Sequence, residues 1–223
     1  RAVNLNSSDD ENFVARGEGY AEIGEFQLAR DDYNEAIRLN SQSSNAYKQR
    51  GYLSVQAGNS SLALLDLDRA IEISPQDHDA YFKRSQAYFD LGETSLALSD
   101  LNQATELAPT NPAYLHMRGL VLHELANHES AIADFDGALG LRQGFANQDP
   151  RHAKIVVDRG KTYLELGSLG QAAEDARIAI GIFETFLFVS KWGTAGSGRA
   201  VGRSDYLYPE IFLFQADAHD LLG

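Results

Sequence analysis

The sequence repeats itself with a period of 34 residues. Arg16, Arg50, Arg84 and Arg118 follow one another at this spacing, and Arg159 follows after 41 residues. An aspartate stands 16 residues after each of these arginines, and alanines 13 and 20 residues after each arginine keep the same phase. The aspartates are Asp32, Asp66, Asp100, Asp134 and Asp175. A period of this length indicates an array of supersecondary units that bury their apolar faces against one another.

Each repeat has the pattern of two helices joined by a short turn. In the third repeat, Tyr81, Ser85 and Tyr88 stand at i, i+4 and i+7, which places them on one face of a helix. Gly92 predicts the end of this helix, because glycine readily takes the left-handed conformation that closes a helix. Pro109 predicts the end of the second helix.

Several positions of the repeat carry one kind of residue in most copies: a small residue at position 8, glycine at 15, and alanine at 20 and 27. Proline stands at position 32 in the second and third units. This pattern resembles the tetratricopeptide repeat (TPR) family, and the third unit, DAYFKRSQAYFDLGETSLALSDLNQATELAP, matches it best. The resemblance implies an all-α fold, a right-handed α-solenoid of five full repeats plus one additional helix. It also implies a concave groove lined by the first helices, where proteins of this family commonly bind peptides or helices of partners.

The repeat phase predicts the division of the chain. We expect a polar N-terminal segment at 1–9 and five repeats at 10–43, 44–77, 78–111, 112–152 and 153–186. A Gly-rich basic insertion at 187–208 and the first helix of a sixth, incomplete repeat at 209–223 follow. Because the chain starts with Arg1 and stops within a repeat, we expect it to belong to a longer protein.

Composition disfavours several classes of function. The absence of cysteine excludes disulfides, thiolate nucleophiles and cysteine-type zinc sites. A net charge of −13 disfavours duplex nucleic acid as a partner, because such binders need a basic face. The chain has no apolar run long enough to span a bilayer, so direct membrane insertion is not expected. Without a signal segment we expect a cytoplasmic protein, or a periplasmic one if a leader has been removed.

The resemblance assigns positions 2, 5, 6, 9, 12 and 13 of each first helix to the groove. The residues that we expect to bind a partner segment there are Lys48, Tyr52, Phe82, Lys83, Phe89, His116, Met117, Leu120 and Lys161. Aromatic side chains with methionine suit an amphipathic segment, and the lysines suit carboxylates of the partner. Glu11, Glu18 and Glu22 form an acidic entrance in the first repeat. The aromatic residues also fit simple packing between adjacent helices.

The repeated arginines and aspartates indicate architecture, since a binding site seldom needs one copy of a charge pair in every repeat. The arginine at position 7 and the aspartate at position 23 lie on the paired helices of one repeat. We therefore expect five ion pairs that form a ladder through the array.

Two segments come close to known site motifs. His123 and His128 are five residues apart, whereas the zinc-protease helix requires four, and a five-residue step turns them about 140° apart on a helix. The predicted turn at Ala126 also lies between them.

The glycine-rich stretch at 193–203 lacks the Gly-Lys-Ser/Thr ending of a phosphate-binding loop. Two interpretations of this stretch stay open: a flexible loop, or a basic lid over the groove formed by Trp192, Arg199 and Arg203.

The sequence therefore predicts a scaffold or adaptor that binds a peptide or helical segment of a partner protein in its groove. We expect no catalytic residues, no cofactor and no metal site. The alternative is a regulatory or targeting module of a larger enzyme or assembly, which uses the convex face or the glycine-rich loop, or self-association.

Overall fold

The computed structural model describes residues 10–142 and 149–192. The chain falls into two compact units, Arg1–Pro109 and Thr110–Gly223. Every regular element within the described ranges is an α-helix. None of the helices in these ranges combines the length and the apolar character that crossing a membrane requires.

The first unit contains six helices that form three antiparallel hairpins. The bounds are α1 Asp10–Glu22, α2 Phe26–Leu39, α3 Ser44–Gln56, α4 Ser60–Ile73, α5 His78–Asp90 and α6 Thr94–Leu107. Each first helix packs along the second helix of its own repeat, and α2 and α4 also contact the first helix of the next repeat. The first helices α1, α3 and α5 touch one another in sequence, so that they form one continuous layer.

The second unit has the same hairpin arrangement in its described part. The bounds are α7 Pro112–Glu124, α8 His128–Leu141, α9 Pro150–Glu165 and α10 Leu169–Trp192. Helix α7 packs on α8 and α9 packs on α10, while α9 also contacts both α8 and α7.

The turn inside each hairpin needs a residue with a left-handed backbone. Glycine supplies it in four repeats, for example Gly92 with a φ of 77°. In the fourth repeat Ala126 takes the same conformation with a φ of 56°.

The small residue at position 8 lets the two helices of a hairpin approach closely. A Cβ atom added at Gly17 would lie 2.6 Å from Cε1 of Tyr33, and one added at Gly119 would lie 2.5 Å from Cε1 of Phe135. Both aromatic rings are buried. In these repeats a large ring on the second helix therefore fills the space left by a glycine on the first.

The predicted arginine–aspartate pairs are present in all five repeats. Each arginine donates two hydrogen bonds to the aspartate 16 residues later, as Arg84 does to Asp100 at 2.7 Å from both Nε and Nη2. The other pairs are Arg16–Asp32, Arg50–Asp66, Arg118–Asp134 and Arg159–Asp175. We call these five pairs the Arg–Asp seam.

The seam also joins neighbouring repeats within each unit. Arg84 donates a further bond to Asp68 of the preceding repeat at 2.8 Å, and Arg50 donates one to Asn34 at 2.7 Å. In the second unit Arg159 reaches back to Asp136 in the same way. Each of these arginines therefore bonds to a side chain in each of two repeats.

Two helix ends differ from the predicted repeat boundaries. Helix α9 starts at Pro150, three residues before the predicted start of the fifth repeat, because the Asp149 side chain caps it by accepting from the Arg151 amide. Helix α10 continues to Trp192, into the range predicted as an insertion. The segments 1–9 and 193–223 lie outside the described residues.

Candidate functional site

The layer of first helices in the first unit carries a cavity of about 410 Å³. Helix α1 contributes one end of its lining, α3 the middle and α5 the other end. The lining residues are Glu18, Ala21, Glu22, Tyr33, Gln49, Tyr52, Leu53, Gln56 and Lys83. Most of them stand at the positions that the resemblance assigns to the groove, and two of the predicted binding residues, Tyr52 and Lys83, are among them. We call this space the unit-1 cavity.

Lys83 and Tyr52 are in direct contact across adjacent repeats. The Lys83 ammonium lies 3.6 Å from the centroid of the Tyr52 ring, a cation–π arrangement. The Lys83 side chain is only 12% exposed, and Asp79 Oδ2 lies 3.6 Å from its nitrogen. Burial lowers the pKa of Lys83, and the nearby Asp79 carboxylate opposes this shift.

Lys48 already has carboxylate partners within the chain. Its ammonium lies 2.9 Å from Asp77 and 3.4 Å from Asp79. Asp77 is held in place because it also caps α5, accepting hydrogen bonds from the amides of Asp79 and Ala80. The carboxylates that the sequence led us to expect from a partner are therefore supplied to Lys48 and Lys83, at least in part, by the chain itself.

The α1 end of the unit-1 cavity is negatively charged. Glu18 accepts a hydrogen bond of 2.6 Å from the Gln49 amide. Burial, followed by the charges of Glu18 and Asp32, raises the pKa of the Tyr33 hydroxyl to about 12. Glu22 is exposed, and among the described residues it has no ion-pair or hydrogen-bond partner.

The other predicted anchors of the first unit, Phe82 and Phe89, are partly buried on α5. This degree of burial fits both a binding surface and packing between helices, so their assignment to binding stays a prediction.

In the second unit the predicted binding residue His116 contacts α9, and so does His123, which stands at groove position 12 of the same repeat. Nε2 of His116 lies 2.7 Å from Asp158 Oδ2, and its ring packs 5.9 Å from the ring of Phe135. Nδ1 of His123 lies 3.0 Å from the Thr162 hydroxyl. The sequence placed these histidines in the groove but gave no sign of these polar contacts, since neither partner belongs to a repeated motif.

The remaining predicted residues of the second unit show no comparable network. Met117 and Leu120 are partly buried on α7, and Lys161 is exposed on α9. Trp192 is the last residue of α10, and its side chain lies outside the described part of the chain, as do Arg199 and Arg203. The predicted lid therefore stays a prediction.

His123 and His128 come together although a continuous helix would turn them apart. Their ring centroids are 5.3 Å apart because His123 belongs to the last turn of α7 and His128 begins α8. Within the described ranges no group of three or more His, Cys, Asp or Glu side chains is arranged to hold a metal ion.

The family model for the tetratricopeptide repeat matches residues 14–78 and 82–144, which is more than half of the chain. The chain belongs to the tetratricopeptide repeat family. Its fold is that of the TPR solenoids, and proteins of this family are interaction modules that bind protein or peptide partners. No curated protein sequence matches this TPR chain.

Solved structures of TPR proteins share the fold at low sequence identity. YrrB, described as a TPR protein with an unusual peptide-binding site, is 22% identical, with a TM-score of 0.63 over 83% of this chain and 94% of YrrB. TTC0263, a thermophilic TPR protein of Thermus thermophilus, is 19% identical, with a TM-score of 0.63 over 96% and 98% of the two chains. MamA of Desulfovibrio magneticus is 16% identical, with a TM-score of 0.69 over 82% and 98%.

Proposed function

We propose that this TPR protein is a non-catalytic scaffold that binds a peptide or helical segment of a partner protein on its layer of first helices. The unit-1 cavity carries this proposal, because three consecutive first helices line it with residues at groove positions. An aromatic ring, amide groups and charges of both signs are the kinds of group that fix an extended segment by hydrogen bonds and apolar contact.

The repeat pattern supports a role in binding rather than in catalysis. The most regular charged groups, those of the Arg–Asp seam, satisfy one another and hold the hairpins together. The variable groups lie at the groove positions, as expected for a scaffold that presents one particular surface to one partner. A cytoplasmic location and the absence of a nucleic-acid partner stay predictions.

Affinity capture with two matched double variants tests the proposal. Tyr52→Ala with Phe89→Ala alters the layer of first helices, while Leu62→Ala with Leu65→Ala alters exposed leucines on α4. Captured proteins are identified by mass spectrometry, and circular dichroism verifies that both variants are folded. We expect the groove variant to lose a partner that wild type and the α4 variant retain. A partner retained by the groove variant would contradict the proposal.

A second candidate surface is formed by exposed leucines on the second helices of the first unit. Leu65 is 68% exposed, but one exposed leucine is ordinary on a protein surface. Three other exposed leucines stand at the same repeat position on three helices: Leu28, Leu62 and Leu96. They favour the alternative of a regulatory or targeting module that binds through its convex face, and loss of a partner only with the α4 variant would support it.

A further inference from the structure

The unit-1 cavity is electrically asymmetric along the layer of first helices. Glu18 and Glu22 line its α1 end, and Lys83 lines its α5 end. Helix α3 places neutral groups between them, namely the amides of Gln49 and Gln56 and the ring of Tyr52. A ligand in this cavity therefore meets negative charge at one end and a cation at the other.

At each end one charged group lacks a good partner within the chain. Glu22 has neither an ion pair nor a hydrogen bond among the described residues. The Lys83 ammonium has its nearest carboxylate oxygen at 3.6 Å, beyond normal hydrogen-bond length, and rests on the Tyr52 ring. By contrast, Lys48 has Asp77 at 2.9 Å and Glu18 has Gln49 at 2.6 Å. The two ends thus retain one acceptor and one donor for a ligand.

We propose that the unit-1 cavity takes an arginine or lysine side chain of the partner segment at its α1 end and a main-chain carbonyl of the same segment at Lys83. This inference rests on the proposed function and names the chemistry of the bound segment. The cation sits beside Glu22 and Glu18, where it gains charge-assisted hydrogen bonds. A segment that runs from α1 to α5 satisfies both ends at once.

A neutral carbonyl suits the Lys83 end better than a carboxylate. Asp79 already lies between the Lys83 and Lys48 ammoniums and would repel a second negative charge, whereas a carbonyl accepts a hydrogen bond without that cost. A partner cation does not fit there, since it would face the Lys83 ammonium. The arrangement therefore specifies a basic residue and the end of the cavity at which its side chain lies.

A displayed library of random linear peptides, selected on the full chain, supplies the probe. We expect peptides with arginine or lysine to be enriched on wild type and lost on Tyr52→Ala. A synthetic peptide from the enriched set is then compared with its citrulline analogue by calorimetry, because citrulline keeps the shape of arginine but not its charge. The loss of charge should weaken binding to wild type by about tenfold at low salt.

Charge variants of the protein locate the effect. With Glu22→Gln the citrulline exchange should change binding less than about twofold, whereas Glu106→Gln, an equal charge change on an exposed part of α6, should behave as wild type. Lys83→Met should weaken both peptides by the same factor. Raising salt from about 0.1 M to about 1 M should reduce the arginine preference, because the Debye length falls from about 10 Å to about 3 Å.

The outcomes separate the inference from the proposed function. If no peptide is enriched, or if enrichment persists on Tyr52→Ala, the proposed groove function fails. If peptides bind through Tyr52 but carry no excess of basic residues, or if Glu22→Gln leaves the citrulline effect unchanged, the groove remains and the inference is overturned. A Lys83→Met variant that binds the arginine peptide more tightly would place the cation at the wrong end and would also overturn it.

Discussion

The Arg–Asp seam and the unit-1 cavity use the same kinds of charged residue in opposite ways. In the seam every arginine has a bidentate aspartate, and the pattern is identical in all five repeats. In the cavity the charges differ from one helix to the next, and Glu22 has no partner in the described part of the chain. The charges that repeat in every hairpin therefore satisfy one another, whereas the charges that differ between helices include groups still available to a ligand.

The physical reason lies in burial. A charge between packed helices has lost its water and is tolerated only with a close partner, so each repeat must provide the same pair. On the layer of first helices Glu22 is exposed and keeps its water until a ligand arrives, whereas the Lys83 side chain, 12% exposed, rests on the Tyr52 ring. Substitutions in the seam should consequently change stability, and substitutions in the cavity should change binding.

The largest effect is expected for a seam aspartate. Asp100→Ala leaves the Arg84 guanidinium without its bidentate partner, and both side chains are largely buried, at 7% and 19% exposed. We expect a loss of about 2–3 kcal/mol in the free energy of unfolding, measured by urea denaturation. Asp68 bonds to the same arginine but is 49% exposed, so Asp68→Ala should cost less than about 1 kcal/mol. Equal losses would contradict the role assigned to burial.

The close helix contact gives the next effect. Gly119→Ala places a methyl group 2.5 Å from the buried Phe135 ring, and we expect a loss of about 2 kcal/mol in thermal or urea unfolding. Gly140 in α8 is the matched control, because a Cβ atom there meets no atom within 4 Å. Gly140→Ala should be neutral or stabilise by up to about 1 kcal/mol, since alanine favours a helix over glycine. The same glycine-to-alanine exchange should thus lower stability inside the hairpin contact and leave it unchanged or raise it outside.

Most of the fold was predictable because the sequence repeats the same pattern in every hairpin. The positions of the arginines, aspartates and turn glycines recur, so the hairpins and the seam follow from spacing alone. The contact between repeats was missed, although a polar residue does stand 16 residues before Arg50 and Arg84, at Asn34 and Asp68. For Arg159 the partner Asp136 is 23 residues away, because seven extra residues lie between the fourth and fifth repeats.

The site was less predictable because each of its contacts occurs once. The sequence placed Lys83 and Tyr52 at groove positions, but it did not show that the ammonium rests on the ring. Asp77 holds Lys48 at the junction of adjacent repeats, and this contact depends on the orientation of both side chains. Because Asp77 pairs with Lys48 and Asp79 lies beside Lys83, the partner proposed here carries a basic residue in place of the carboxylates expected from the sequence.

The smallest effect concerns a buried titratable group outside the seam. His152 on α9 is 8% exposed, and its Nδ1 has no hydrogen-bond partner among the described residues. Burial, followed by the positive charge of Arg142, lowers the pKa of His152 below its ordinary value of 6.5. The unfolded chain therefore binds a proton at this residue more readily than the folded chain, so stability falls as pH drops below 6.5.

His152→Phe removes this proton uptake while keeping an aromatic ring at the site. We expect the wild type to lose more stability than the variant when pH is lowered from 7.5 to about 5.5, measured by urea denaturation. The pH stays above the pI of about 4.8, where the protein would lose its net charge. The other histidines contribute equally to both proteins and cancel in the difference. Parallel pH profiles would mean that His152 binds its proton equally well in the folded chain. A buried charge would then be tolerated without a close partner of opposite charge. That result would contradict the distinction drawn between the Arg–Asp seam and the unit-1 cavity.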